Sequence, residues 1–293
     1  MFDFRYHALS LISVFLALAV GLLLGVAIGD RGLVSSAERD VRASLRADVR
    51  DAQDESRGLR DEVRERDRFE EEAYPLLVGG RLTAARVGLI ALGDVDDRVV
   101  ADVRDALQQT GGRLVSVTVI RLPLDLDALA ERAEGTAYTR LDTEPGLLER
   151  FGRRMGAGFI DGGGLLERER RALLESSSGR LAGLDAVVLV RDRRRMAGAD
   201  RAAADRFEDG LVRGLTETDR PVVGVETTST DPSQVPWFED QDVSSVDDVD
   251  ERSGRAALIF ALAGADGTYG VKGTADQLLP RAAEAGGETV TAP

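Results

Sequence analysis

The most apolar part of the chain is residues 8–29, which carry no charged side chain. Thirteen of them are Leu, Ile, Val or Phe. A helix of this length spans roughly 33 Å, enough to cross a hydrocarbon core. The pattern predicts a transmembrane anchor over residues 1–32. A cleaved signal peptide is the alternative, because Gly25-Val26-Ala27 resembles a cleavage site, but the apolar run exceeds the roughly 7–15 residues typical of such peptides.

Small residues recur every four positions inside this anchor, at Ala17, Gly21, Gly25 and Gly29. A ridge of this kind lets two transmembrane helices approach closely. The alternative is ordinary glycine use in a membrane helix. We expect the ridge to be a helix-packing face of a homodimer or higher oligomer within the membrane lipid.

Residues 33–75 are highly charged, with acidic residues and arginines interleaved. A sparse stripe runs through them with a mean step of about 3.7 residues, nearer an eleven-residue than a seven-residue repeat. Ser56 fills one step of this stripe, which otherwise consists of Val41, Leu45, Val49, Ala52, Leu59 and Val63. We expect a parallel, dimeric coiled-coil stalk. A single charged helix held by Glu–Arg pairs is the alternative.

Residues 80–282 show apolar runs that alternate with helical patterns. The predicted strands are 86–92, 114–120, 185–190, 221–226 and a short one at 244–246. The predicted helices are 99–107, 197–215 and 254–262. In residues 124–174 helical patterns alternate with glycines, and individual elements are not assigned. Alternating strands and helices indicate a mostly parallel sheet, so we predict a Rossmann-like or flavodoxin-like three-layer α/β domain. Residues 283–293 are predicted to be a disordered tail.

Ligands of such domains bind where parallel strands end. Residues 93–97 follow the first predicted strand but lack the glycine pattern of a phosphate turn, and Asp94 to Asp97 are expected to begin a helix. The glycine-rich residues 156–164 follow no clear strand and are expected to be a loop. Nucleotide binding therefore has no motif support.

Catalytic and metal-binding residues are scarce. The chain has no cysteine, and His7 is its single histidine, so the domain cannot form a Ser-His-Asp triad. Nine acidic residues and no basic residue lie between Pro221 and Glu251, which could suit a hard cation but more simply form a solvated acidic surface. We expect no catalytic residue and no cofactor. The net charge of −14 argues against a nucleic-acid partner.

Both ends of the chain carry motifs that resemble the MctB-type copper transporter family of actinobacteria. The start includes His7 and Ser10, which lead into the apolar run. The matching residues near the end include Asp247, Asp250, Tyr269, Gly270, Leu279 and Pro280. The anchor, stalk and α/β domain also come in the family's order, and we interpret these motif residues as structural.

This resemblance implies a single-pass protein of the cell membrane with a cytoplasmic N-terminus and an extracytoplasmic domain. It also implies copper ions as the transported species, in efflux or tolerance. Copper(I) prefers Cys, Met and His ligands, which this chain mostly lacks. Two other hypotheses are therefore a non-enzymatic cell-envelope or division scaffold that presents the domain to envelope proteins, and an enzyme or ligand sensor at the carboxyl edge of the sheet.

Overall fold

A computed structural model of the protein describes residues 4–29, 33–192 and 196–281. The predicted disordered tail over 283–293 lies outside the described residues. The chain divides into two compact units, residues 1–69 and 70–293.

The first unit is helical. Helix α1 (Phe4–Gly29) contains one candidate membrane span, Tyr6–Ile28, which has the length and apolar composition needed to cross a membrane. Helix α2 (Leu33–Val78) is 46 residues long, and the division between the two units falls within it, after Phe69. The helical part of the stalk prediction is therefore confirmed.

The end of α2 belongs to the second unit and continues three residues past Pro75. Val78 is fully buried there, and the hydroxyl of Tyr74 donates a hydrogen bond of 3.2 Å to the carbonyl of Ala106. The end of this long helix is thus part of the core of the second unit.

Seven strands of the described chain form one sheet in the order β3-β2-β1-β4-β5-β6-β7. Every neighbouring pair is parallel except β2 and β3. This confirms the predicted mostly parallel α/β fold. The strands are β1 (Arg86–Leu92), β2 (Arg113–Ile120), β3 (Leu174–Gly179), β4 (Ala186–Arg191), β5 (Val222–Val225), β6 (Ser244–Val246) and β7 (Thr268–Tyr269).

Helices cover both faces of the sheet because residues of the central strands alternate between two cores. Leu89 and Ala91 of β1 join the core that includes α3 and α9, whereas Ile90 and Leu92 join the core that includes α5 and α7. The helices of this unit after α2 are α3 (Asp97–Leu107), α4 (Leu126–Arg132), α5 (Gly146–Asp161), α6 (Gly164–Leu173), α7 (Gly198–Thr216), α8 (Val235–Asp240) and α9 (Arg252–Leu262).

The glycine-rich segment 156–164 differs from its predicted loop conformation. Gly156 and Gly158 lie inside α5, so the loop prediction is wrong for the first part of the segment. The reason is a close contact between α5 and α7. A Cβ atom at Gly156 would overlap the carbonyl oxygen of Leu211, and one at Gly214 would overlap that of Arg153. These glycines are needed for helix packing rather than for a turn.

We therefore expect Gly156→Ala to destabilise the protein by about 3 kcal/mol, because the new methyl group would meet backbone atoms that cannot rotate away. Thermal unfolding of the purified full chain measures this effect. Gly146→Ala is the matched control, since a Cβ at Gly146 meets no atom within 4 Å. Equal unfolding temperatures for the two variants would show that the helices can separate without cost.

Candidate functional site

A polar crevice of the second unit lies where the parallel strands end. Strand order reverses between β1 and β4, since the chain proceeds from β1 to β2 on one side and from β4 to β5 on the other. A crevice of about 350 Å³ opens beside this point, between the start of α3 and the ends of β4 and β5. In open α/β sheets this is the position at which ligands bind.

The start of α3 forms one wall of the crevice. The carboxylate of Asp96 accepts a hydrogen bond of 2.9 Å from the backbone N–H of Arg98, which confirms that the acidic residues after β1 cap a helix. One turn later lies Asp102, whose side chain is 22 % exposed and 3.9 Å from the guanidinium of Arg255. Burial raises the pKa of Asp102, and Arg255 partly offsets this rise.

Arg191, at the end of β4, also lines the crevice but is held by its own neighbours. Its guanidinium donates to the carboxylate of Glu208 at 2.8 Å and to the side-chain oxygen of Gln234 at 3.0 Å. It also stacks over the ring of Trp237 at 4.3 Å. Arg191 therefore stabilises the wall of the crevice.

Glu226 directly follows β5 and is paired with Lys272, the one lysine of the chain. The Lys272 ammonium donates to the Glu226 carboxylate at 2.7 Å, and to the carbonyls of Thr227 and Thr230 at 2.8 Å each. Ser233 donates a further hydrogen bond of 2.8 Å to Glu226. Through these three hydrogen bonds Lys272 connects the segment after β7 to the end of β5.

Asp247, one of the predicted motif residues, binds the backbone of the segment after β7 that carries Lys272. It is fully buried, and its carboxylate accepts hydrogen bonds from the backbone N–H groups of Val271 at 2.9 Å and Lys272 at 3.1 Å. Gly270 has a φ of +138°, and a Cβ there would overlap the Asp247 carboxylate. Glycine is therefore required where the chain crosses Asp247.

Two further motif residues lie close to this crossing. Tyr269 is fully buried, and its hydroxyl donates to the carbonyl of Asp266 at 2.8 Å. Asp250 accepts hydrogen bonds from the backbone N–H and the hydroxyl of Thr228 at 2.8 and 2.6 Å. The structure thus brings Asp247, Tyr269 and Gly270 together, and places Asp250 on the crevice wall.

The remaining predicted residues lie elsewhere. Leu279 is partly buried against the core of α3 and α9, and Pro280 is partly buried near the end of the described chain. His7 and Ser10 are exposed on α1. The helix-packing residues Ala17, Gly21 and Gly25 line a shallow groove along α1, and Gly29 ends that helix. Their role in dimerisation stays a prediction.

Copper ligands are poorly placed in the described residues. Met155 is fully buried in the core of α5 and α7, and Met196 packs against the same core. The described part of the chain holds no group of three or more His, Cys, Asp or Glu residues that is arranged to bind a metal ion. Unit 70–293 also contains no histidine that could act as a base beside the crevice hydroxyls.

Asp248 is a buried carboxyl group at this edge with an incomplete set of hydrogen bonds. Its Oδ2 atom accepts a hydrogen bond of 2.9 Å from Ser253, while its buried Oδ1 atom has no partner. Burial raises the pKa of Asp248 to about 6, and the hydrogen bond from Ser253 partly offsets the rise. The neighbouring charges of Asp247, Asp250 and Glu251 raise the pKa further. Folding therefore disfavours the ionised carboxylate of Asp248 relative to the unfolded chain.

The comparison with known families adds one finding. A family model described as "Copper transport outer membrane protein, MctB" matches residues 1–280. No curated protein matches the chain. The match covers 280 of the 293 residues and includes both described units up to the partly buried Pro280.

We expect Asp248→Asn to stabilise the protein at neutral pH and to have little effect in acid. The folded pKa of about 6 lies above the unfolded value near 3.8, so the stability that Asp248 contributes is full below pH 3.8 and is lost as the pH rises through 6. The variant should exceed the native chain by on the order of 2 kcal/mol at pH 7.5 and match it near pH 4.

Unfolding temperatures of the full chain between pH 4 and pH 8 measure this difference. Asp105→Asn is the control, because Asp105 is exposed on α3. A gap between native and Asp248→Asn chains that does not change with pH would contradict the expected titration.

Proposed function

We propose, since the chain belongs to the MctB family of copper transport outer membrane proteins, that it is a membrane-anchored protein of copper homeostasis acting in efflux or tolerance. The observation that carries this proposal is the length of the family match, which extends from the apolar helix to the motif residues of the carboxyl edge. We further propose that the α/β domain is non-catalytic and that copper is cargo rather than a bound cofactor.

The proposed location is the cell membrane, which α1 would cross once. Support comes from α1, which is the one helix of the described residues that is long and apolar enough to span a membrane. The N-terminus would lie in the cytoplasm, and the α/β domain would lie outside it. This orientation follows from the family resemblance, because the interleaved charges after α1 do not decide it.

The burial of the methionines bears on how such a protein would act. Met155 cannot reach a copper ion without opening the core, and Met196 is partly covered by the same core. A role within an assembly therefore fits the domain better than a role as the conduit itself. The same observation favours the second candidate function, a non-enzymatic cell-envelope or division scaffold that presents the domain to envelope proteins.

Deletion of the gene separates these two functions. We expect cells that lack the protein to accumulate several times more copper under copper stress, as measured by elemental mass spectrometry, and to recover when the native chain is restored. Zinc and manganese contents of the same cells serve as controls and should not change. Normal copper content and growth in the deletion cells would refute the copper function. Crosslinking of the native chain to envelope proteins in cells that carry it would then favour the scaffold.

We also propose that the protein dimerises through α1 and α2. Five apolar side chains of the predicted stripe on α2 are each 45–59 % exposed in the single chain: Val41, Leu45, Val49, Leu59 and Val63. A second copy in parallel register would cover this stripe and continue the contact made by the glycine ridge of α1.

Because the chain has no cysteine, single substitutions test this arrangement directly. We expect Ser56→Cys to give a disulfide-linked dimer on mild oxidation in membranes, since a parallel stalk brings the two copies of residue 56 together. Asp54→Cys, on the opposite side of α2, is the control and should link poorly. Equal linking of the two variants, or none for either, would argue against a parallel dimer through this stripe.

A further inference from the structure

The crevice beside the strand-order reversal has the size and position of a small-molecule site. Its volume of about 350 Å³ lies within the ~300–1,000 Å³ range of ligand pockets. Its residues belong to the start of α3, to the ends of β4 and β5, to the loop after β5 and to the loop before α9, so the site is formed within one unit.

Two polar groups of the crevice remain open to a ligand. The carboxylate of Asp102 makes no hydrogen bond to any described residue, and its single ion pair, with Arg255, is long at 3.9 Å. The guanidinium of Arg98 makes no hydrogen bond or ion pair to the described residues. By contrast, Glu226 and Asp250 are satisfied by Lys272 and Thr228. The crevice therefore presents one strong acceptor and one strong donor on the same wall.

The other walls are suited to a molecule with both apolar and hydroxyl surfaces. Val99, Val190 and Val225 supply an apolar lining. Opposite α3, the hydroxyl of Thr227 lies 3.0 Å from that of Ser229 and 3.1 Å from that of Thr230. A hydroxyl group both donates and accepts hydrogen bonds. These three hydroxyls can therefore replace the hydrogen bonds among themselves with hydrogen bonds to a ligand.

The charged side chains of the crevice determine which net charge a ligand can carry. Four carboxylates line the crevice, those of Asp96, Asp102, Glu226 and Asp250. Two guanidinium groups, of Arg98 and Arg191, also line it, and Arg191 is already paired with Glu208. The carboxylates therefore outnumber the free guanidinium, which disfavours a phosphate or a carboxylate ligand. The described residues form no cluster that could hold a metal ion, and two of these four carboxylates are already paired within the protein. A neutral ligand with several hydroxyl groups is not repelled by the carboxylates and needs no metal ion to bind.

We propose that this crevice binds a neutral, hydroxyl-rich small molecule of the sugar class. Asp102 accepts hydrogen bonds from its hydroxyl groups, Arg98 donates to its oxygens, and the three valines contact its C–H face. This binding activity does not depend on the proposed role in copper homeostasis, and it gives the domain a ligand rather than a reaction.

Ligand-observed saturation-transfer NMR on the full chain tests the proposal. The chain is purified in a zwitterionic detergent, because sugar-based detergents would compete for the site. Glucose, N-acetylglucosamine and trehalose are the neutral probes, and glucose 6-phosphate is the charged comparator. We expect transfer to at least one neutral sugar with millimolar affinity, and weaker binding of the phosphate.

Asp102→Asn should weaken this binding at least tenfold, because the amide replaces a charged acceptor. Asp105→Asn, one turn along α3 and outside the crevice, should leave it unchanged. Ser229→Ala, in the exposed loop after β5, provides a second variant that should bind several times more weakly even if Asp102→Asn does not fold. The proposal is overturned if no neutral sugar shows transfer, if Asp102→Asn and Ser229→Ala bind like the native chain, or if glucose 6-phosphate binds more tightly than glucose.

Discussion

The ion pair between Glu226 and Lys272 determines the arrangement of the carboxyl edge of the sheet. A carboxylate buried at the end of a strand is stable only when a cation lies beside it. The partner of Glu226, Lys272, comes from the far end of the domain sequence and fills all three donor positions of its ammonium with oxygen atoms. An unpaired charge in such a position costs several kcal/mol. The need to pair Glu226 therefore fixes where the chain after β7 must cross, and Asp247 and Gly270 shape that crossing.

Much of the fold could be predicted because its central elements have strong local patterns. β1 and β4 are continuous apolar runs bounded by glycine or charge, and α3 begins with acidic residues at the expected place. The local pattern does not predict β3, because its serine-rich residues are mostly exposed, nor β7, because it has only two residues. Both are defined by the strands they pair with, which local sequence does not reveal. The helical position of Gly156 is hidden for a related reason, since its partner helix is distant in the sequence.

The candidate site could be located from the sequence only in outline. The segments after the first and fourth predicted strands do line the crevice, as expected for a parallel sheet. Lys272 could have been singled out, because it is the one lysine among 38 basic residues. Asp102 had no such signal. It is one of several acidic residues on an amphipathic helix, and only the packing of α9 and the β5 loop distinguishes it from its exposed neighbour Asp105.

Helix α3 lies between the end of α2 and the crevice of the second unit. The last turn of this helix accepts the hydrogen bond from Tyr74 of α2, while its N-cap residue Asp96 and its middle residue Asp102 line the crevice. Eleven residues of helix are about 16 Å long and stiff along their axis. The last turns of α2 and the crevice wall are therefore connected through one helix, without passing through the sheet.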